Sequence, residues 1–227
     1  AWSFLEGRKH GRTTVAVIDT GVDTEHEDLQ KNLVTKDGCY TNVSDGTEKQ
    51  TKDDSGEHGT HVSGIIGMTY GNGKGAAGIA AGHHNDLVRV LMIGASDNGL
   101  SLCTYDVVTA LKSAEQAGAR VVNMSFGFGT KDRVLEQGLR DAYAHGITLV
   151  AASGNDSNDY TGTPNYEKEV ISVNAATNKK QPAYFSNFGT DTDVSAPGFQ
   201  ILSSVPGNQY KKMDGTSMAS PCVAAEA

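Results

Sequence analysis

At 227 residues the chain is long enough for one domain with a sizeable core, and its net charge of -8 argues against nucleic acid as the main partner, because phosphates are held by Lys and Arg. No apolar run reaches the length needed to span a bilayer. The 27 glycines fall in short punctuating runs, which suits an enzyme with tight loops rather than a fibrous or coiled protein. Residues 1–12, with Trp2, Phe4 and Leu5 ahead of a basic patch, predict a short surface helix. Thr14–Ile18 is a near-continuous β-branched apolar run, the pattern of a strand buried on both faces. Asp19 ends it and Gly21 turns the chain. Residues 36–57 are polar and read as a long surface excursion. His58–Met68 reads as a helix despite its glycines, with Val62, Ile65 and Ile66 on one side. A Gly-rich loop at 71–75 leads to a strand over Leu87–Ile93.

Thr104–Ala117 and Lys131–His145 both carry apolar residues at helical spacing, and each is followed by a stop glycine, Gly118 and Gly146. Strands are predicted over Arg120–Ser125, Ile147–Ala152 and Val170–Ala175. Residues 177–215 are more irregular, with short strands near Ile201–Val205 and Tyr210–Met213. At Gly215 a tight turn feeds a helix that Ser217 opens, and Pro221 is placed in its first turn, where a missing N–H does little harm. Alternation of strands and helices implies a parallel sheet covered on both faces. No internal repeat or linker interrupts it. The three cysteines, Cys39, Cys103 and Cys222, are an odd number and give no disulfide framework. They read as small buried thiols, with one disulfide plus a free thiol as the alternative.

Three stretches carry chemistry: Val15-Ala16-Val17-Ile18-Asp19-Thr20-Gly21, His58-Gly59-Thr60-His61-Val62-Ser63-Gly64 and Gly215-Thr216-Ser217-Met218-Ala219-Ser220-Pro221. Taken singly, each has an ordinary explanation. A serine before a helix is usually an N-cap, and Ser153-Gly154-Asn155 is a common kind of polar turn. Asp19 is harder to explain that way, because a carboxylate at the carboxyl end of a buried strand is costly without partners and lies where open α/β sheets place their functional crevice. His58-x-x-His61 lacks the Glu of a zinc-protease helix.

In the order Asp, His, Ser, the three stretches resemble the signature blocks of subtilisin-like serine proteases. Lesser matches lie at Asn123-Met124-Ser125-Phe126-Gly127, Ala151-Ala152-Ser153-Gly154-Asn155 and Ser195-Ala196-Pro197-Gly198. The resemblance implies an α/β, three-layer subtilisin-like fold, with a mostly parallel central sheet and helices on both faces. It implies Ser217 as nucleophile, His58 as its base, Asp19 as the carboxylate that orients the imidazole, and Asn155 as an oxyanion donor beside the Ser217 N–H. His61 is then structural. Substrate would lie extended between Ser125-Phe126-Gly127 and the segment Asn98–Ser101 around Leu100. The pocket for the residue before the scissile bond would be lined by Ala152–Asn155, with Ala152 and Gly154 among them, and by Ser125–Gly127. Asp156 near its mouth or floor would either favour a basic side chain or be a solvated surface group. Asp28 and Asn72 would ligate a structural Ca2+, and no organic cofactor is implied.

The implied activity is that of a serine endopeptidase acting on polypeptides through an acyl-enzyme, secreted or at the cell surface. A narrow-specificity processing protease and a peptide-binding pseudoprotease are the alternatives. Partners would be the polypeptide substrate and a pro-segment or C-terminal segment, because domains of this kind usually continue past the helix that Ser217 opens. Residues 1–227 are accordingly expected to be a peptidase domain lacking its C-terminal part.

Overall fold

The structure, a computed structural model, describes residues 2–5, 10–34, 41–42, 57–96, 101–159 and 162–227. Seven strands form one sheet: β1 (Thr13–Asp19), β2 (Thr41–Asn42), β3 (Val88–Gly94), β4 (Val121–Met124), β5 (Thr148–Ala152), β6 (Val170–Ala176) and β7 (Val194–Pro197). Their order is β2-β3-β1-β4-β5-β6-β7, and every neighbouring pair is parallel. Among the described residues five helices accompany them: α1 (Trp2–Leu5), α2 (His58–Gly67), α3 (Thr104–Gln116), α4 (Arg133–Ala144) and α5 (Thr216–Ala224). Strands β8 (Ile201–Val205) and β9 (Gln209–Met213) form a separate antiparallel hairpin.

The layers follow from the strand period of two. Val15 and Val17 of β1 enter a core with Val62 and Ile66 of α2 and Met218 and Ala219 of α5. Ala16 and Ile18 face the other way, into a core with Val107 and Leu111 of α3 and Leu135 and Leu139 of α4. Burial on both faces is why β1 reads as a continuous apolar run. Each large aliphatic side chain so buried contributes about 1.5–3 kcal/mol. The chain thus has the three-layer α/β arrangement that its sequence implies.

Two strands differ from the sequence reading. Thr41 and Asn42 lie inside the stretch taken as a surface excursion, yet they pair with Ile93 and Gly94 at the sheet edge. Strand β7 pairs with β6 from Val173↔Val194 to Ala176↔Pro197. Of its four residues only Ala196 is buried, so no alternation marks it.

The β8–β9 hairpin docks on α2 through polar contacts. Ser203 Oγ donates to the His61 carbonyl at 2.7 Å and Ser204 Oγ to that of Thr60 at 3.1 Å. The fully buried His61 ring presents Nε2 to two hairpin carbonyls, Ile201 at 3.1 Å and Lys211 at 3.0 Å. Both serine hydroxyls stand 2.3 Å from where a Cβ on Gly64 would be, so only glycine admits the hairpin there.

Candidate active site

Asp19 is the last residue of β1 and His58 the first of α2. The imidazole Nδ1 lies 2.8 Å from Asp19 Oδ1 and 3.0 Å from Oδ2. The carboxylate side chain is 3 % exposed and the imidazole 32 %, so one end of the pair is dry and the other faces solvent. Asp19 Oδ1 also accepts the Thr20 backbone N–H at 2.7 Å and its hydroxyl at 3.1 Å. Those bonds stabilise a charge that would otherwise be costly to bury. Thr20 Oγ1 in turn accepts the Gly59 N–H at 3.2 Å, tying the start of α2 to the end of β1. A Cβ on Gly59 would stand 2.1 Å from the Gly21 carbonyl, so the glycine after His58 is what allows this approach.

Helix α5 packs against α2 and against β4, β5, β6 and β7. Pro221 stands well inside α5, beyond the first turn where the sequence reading put it. Its missing N–H is the one that would reach the Ser217 carbonyl four residues back. Ser125 takes that place: its hydroxyl donates to Ser217 O at 2.8 Å. The Ser217 hydroxyl donates back to the Ser125 carbonyl at 3.0 Å. Behind this reciprocal pair, Asn123 Nδ2 donates to Ser125 Oγ at 2.9 Å and Ser220 Oγ to Asn123 Oδ1 at 2.7 Å. A buried, connected polar network therefore fixes α5 on β4.

Asn155 follows β5 and sits beside the start of α5. Its Oδ1 accepts the Thr216 N–H at 2.9 Å and the Thr216 hydroxyl at 3.0 Å. With the oxygen anchored, the exposed side chain turns its Nδ2 donor away from Thr216, and that donor meets no acceptor among the described residues. The Ser217 N–H, in the unbonded first turn of α5, is equally without a described partner.

Ser125, Phe126 and Gly127 leave β4, while Ala152 and Gly154 leave the adjacent β5, so the two predicted pocket walls are neighbouring strand exits. Leu100 and Cys39 lie outside the described residues. Cys103 and Cys222 are free thiols. Cys222 is buried as expected, and burial pushes its thiol up to about 12, whereas Cys103 is exposed, against the expectation.

The proposed calcium residues meet, but through a hydrogen bond. Asn72 Nδ2 donates to Asp28 Oδ1 at 2.6 Å, and Tyr210 Oη donates to Asp28 Oδ2 at 3.2 Å. Asp28 is fully buried, and no cationic side chain among the described residues pairs with it. Burial and this neighbouring carboxylate push the Tyr210 phenol up to about 12, which keeps it a donor. Among the described residues no three His, Cys, Asp or Glu side chains are grouped to hold a metal.

Sequence reasoning missed Thr20, Thr216, Asn123 and Ser220 as supports. The first two and Ser220 lie inside the signature stretches and Asn123 heads a lesser match, so the blocks contained them without revealing their tasks.

The sequence model described as the Subtilase family matches residues 11–227. The thermophilic serine proteinase of Bacillus sp. (strain AK1) is 38% identical over 224 residues, covering 99% of this chain and 53% of that protein. Subtilisin DY of Bacillus licheniformis is 35% identical, covering 98% of this chain and 77% of its own length. The chain thus spans about half of the former relative and three quarters of the latter. A solved structure of a cold-adapted subtilisin-like serine proteinase superposes with a TM-score of 0.80 at 30% identity, covering 95% of this chain and 73% of that one.

Proposed function

Because the chain belongs to the subtilase family, we propose that it is a serine endopeptidase that hydrolyses peptide bonds through an acyl-enzyme formed on Ser217. The observation that carries this reading is the 2.8 Å contact of His58 Nδ1 with buried Asp19. A carboxylate at Nδ1 holds the ring as the Nδ1–H tautomer, leaving Nε2 with a lone pair on the exposed side. Nε2 then takes the Ser217 proton as Oγ attacks the scissile carbonyl, and Asp19 stabilises the imidazolium that results.

The charge developing on the carbonyl oxygen meets the Ser217 N–H and Asn155 Nδ2, both without acceptors among the described residues. His58 next protonates the leaving amine, and water repeats the sequence in reverse roles to release the acid. Substrate pairs as an added strand along Ser125–Gly127. The reading is tested by labelling with a fluorophosphonate. The wild-type chain should be modified at Ser217, and Ser217→Ala should not; labelling that survives the substitution would refute the nucleophile.

The same reading includes a structural Ca2+ beside Asp28 and Asn72. Its support is a fully buried carboxylate with only neutral donors, next to the Gly-rich loop at 71–75. Calcium takes six to eight hard oxygens. Asp28 would supply carboxylate oxygens, Asn72 its side-chain carbonyl once the amide turns over from the bond that its Nδ2 now makes to Asp28, and the loop its backbone carbonyls.

A further inference from the structure

Asn165 is a buried side chain that the chemistry above does not use. It is 4 % exposed. Its backbone N–H bonds the Gly162 carbonyl at 2.8 Å, and its Oδ1 accepts the Ser172 hydroxyl at 3.1 Å. Ser172 is fully buried on β6, in register with Ala151 of β5. With the amide oxygen tied to the sheet, the nitrogen turns the other way and donates to no described residue. It lies 3.4 Å from where a Cβ on Gly127 would stand. The nitrogen is not sealed in the interior, so it is open to an acceptor that enters from outside.

The location gives this donor a task. Gly127 belongs to the Ser125–Gly127 wall. The next residue, Phe128, donates its N–H to the Thr163 carbonyl at 2.8 Å, so residues 163–165 run alongside that wall. Ala152 and Gly154 form the opposite wall at the exit of β5. Asn165 therefore closes the space between the walls, and the absent side chain of Gly127 leaves its amide open to that space.

We propose that Asn165 Nδ2 is the floor donor of the pocket for the residue preceding the scissile bond, and that the enzyme selects a carboxamide side chain there, glutamine above all; this rests on the serine endopeptidase reading. A carboxamide brings a neutral carbonyl to the donor. An aliphatic side chain leaves the donor unmet, and a lysine offers it only another donor. A carboxylate would have to give up the hydration of a full charge to reach the same donor.

The test uses coumarinyl amides of Ala-Ala-Pro-X, with X glutamine, methionine, glutamate or lysine. For the wild-type chain kcat/KM should be about tenfold higher for glutamine than for methionine, and higher than for glutamate or lysine. Asn165→Leu should invert the glutamine-to-methionine ratio. Asn165→Asp keeps the shape, covers the case in which leucine is not accommodated, and presents only acceptors; it should raise lysine above glutamine, which can still turn its own NH2 toward the carboxylate. Equal rates for glutamine and methionine in the wild type, or ratios unchanged in both variants while fluorophosphonate still labels, would overturn the proposal alone. No labelling and no cleavage of any substrate would overturn the endopeptidase reading beneath it.

Discussion

In the proposed mechanism Ser217 and Asn155 act at different moments, so their loss should read out differently. Ser217→Ala should abolish turnover yet leave peptide binding, measurable by calorimetry with an uncleaved peptide. Asn155→Ala should lower kcat by about 10²–10³ with KM little changed, a magnitude taken over from subtilisin, where this same donor has been removed. In that role the bond would form to the oxyanion rather than to the substrate carbonyl, so a loss confined to KM would contradict it. His61, one turn along α2, should show itself in stability rather than rate. Burial holds its pKa below the ordinary 6.5, outweighing the Lys211 and Ile201 carbonyl bonds that raise it. The native ring stays neutral where the unfolded chain would already be protonated. Its contribution is thus complete above pH 6.5 and lost as pH falls from there through the lowered native value. Melting temperatures from pH 8 to 5 should fall on the acid side, and His61→Gln should flatten that slope while lowering stability at pH 8.

At the scale of elements, α2 and the β8–β9 hairpin meet in close contact. Gly64→Ala would drive a methyl into Ser203 and Ser204, whose hydroxyls hold the hairpin to the helix. The expected loss is about 1–3 kcal/mol, read by urea unfolding. A wild-type midpoint would mean that the hairpin shifts at no cost. The elements most legible in the sequence were those with clean periods. Strand β1 and helices α3 and α4 agree with their predicted spans to within one or two residues. Strand β7 was illegible because it shows solvent three of its four residues and therefore alternates nothing. The site divides in the same way. Asp19, His58 and Ser217 stand out because each lies in a contiguous distinctive run. The bond from Thr216 to Asn155 and that from Ser220 to Asn123 join residues 61 and 97 positions apart, and no local pattern encodes them. The mistaken placement of Pro221 has the same origin, since the donor that compensates for it comes from Ser125, 92 residues away from Ser217.

For the molecule as a whole, the proposed calcium would act as a clamp across distant segments. Asp28, Asn72 and Tyr210 come from three separate parts of the chain. A ligand that binds only the folded form stabilises it by about 2.7 kcal/mol at a hundredfold excess over Kd. For a domain of this size that corresponds to about 5–10 °C in Tm. Calcium should therefore raise Tm by that amount over chelator, and Asp28→Ala should abolish the difference. An identical Tm with calcium and with chelator in the wild type would remove the ion from the account.

The proline in α5 has one more effect. Because Pro221 cannot hold the Ser217 carbonyl, the peptide of the proposed nucleophile is gauged from Ser125, on the wall along which substrate would lie, instead of from its own helix. Attacking atom and scissile bond then share a datum. A small slide or tilt of α5 carries less error into the distance between them than it would if that distance were measured through the length of the helix.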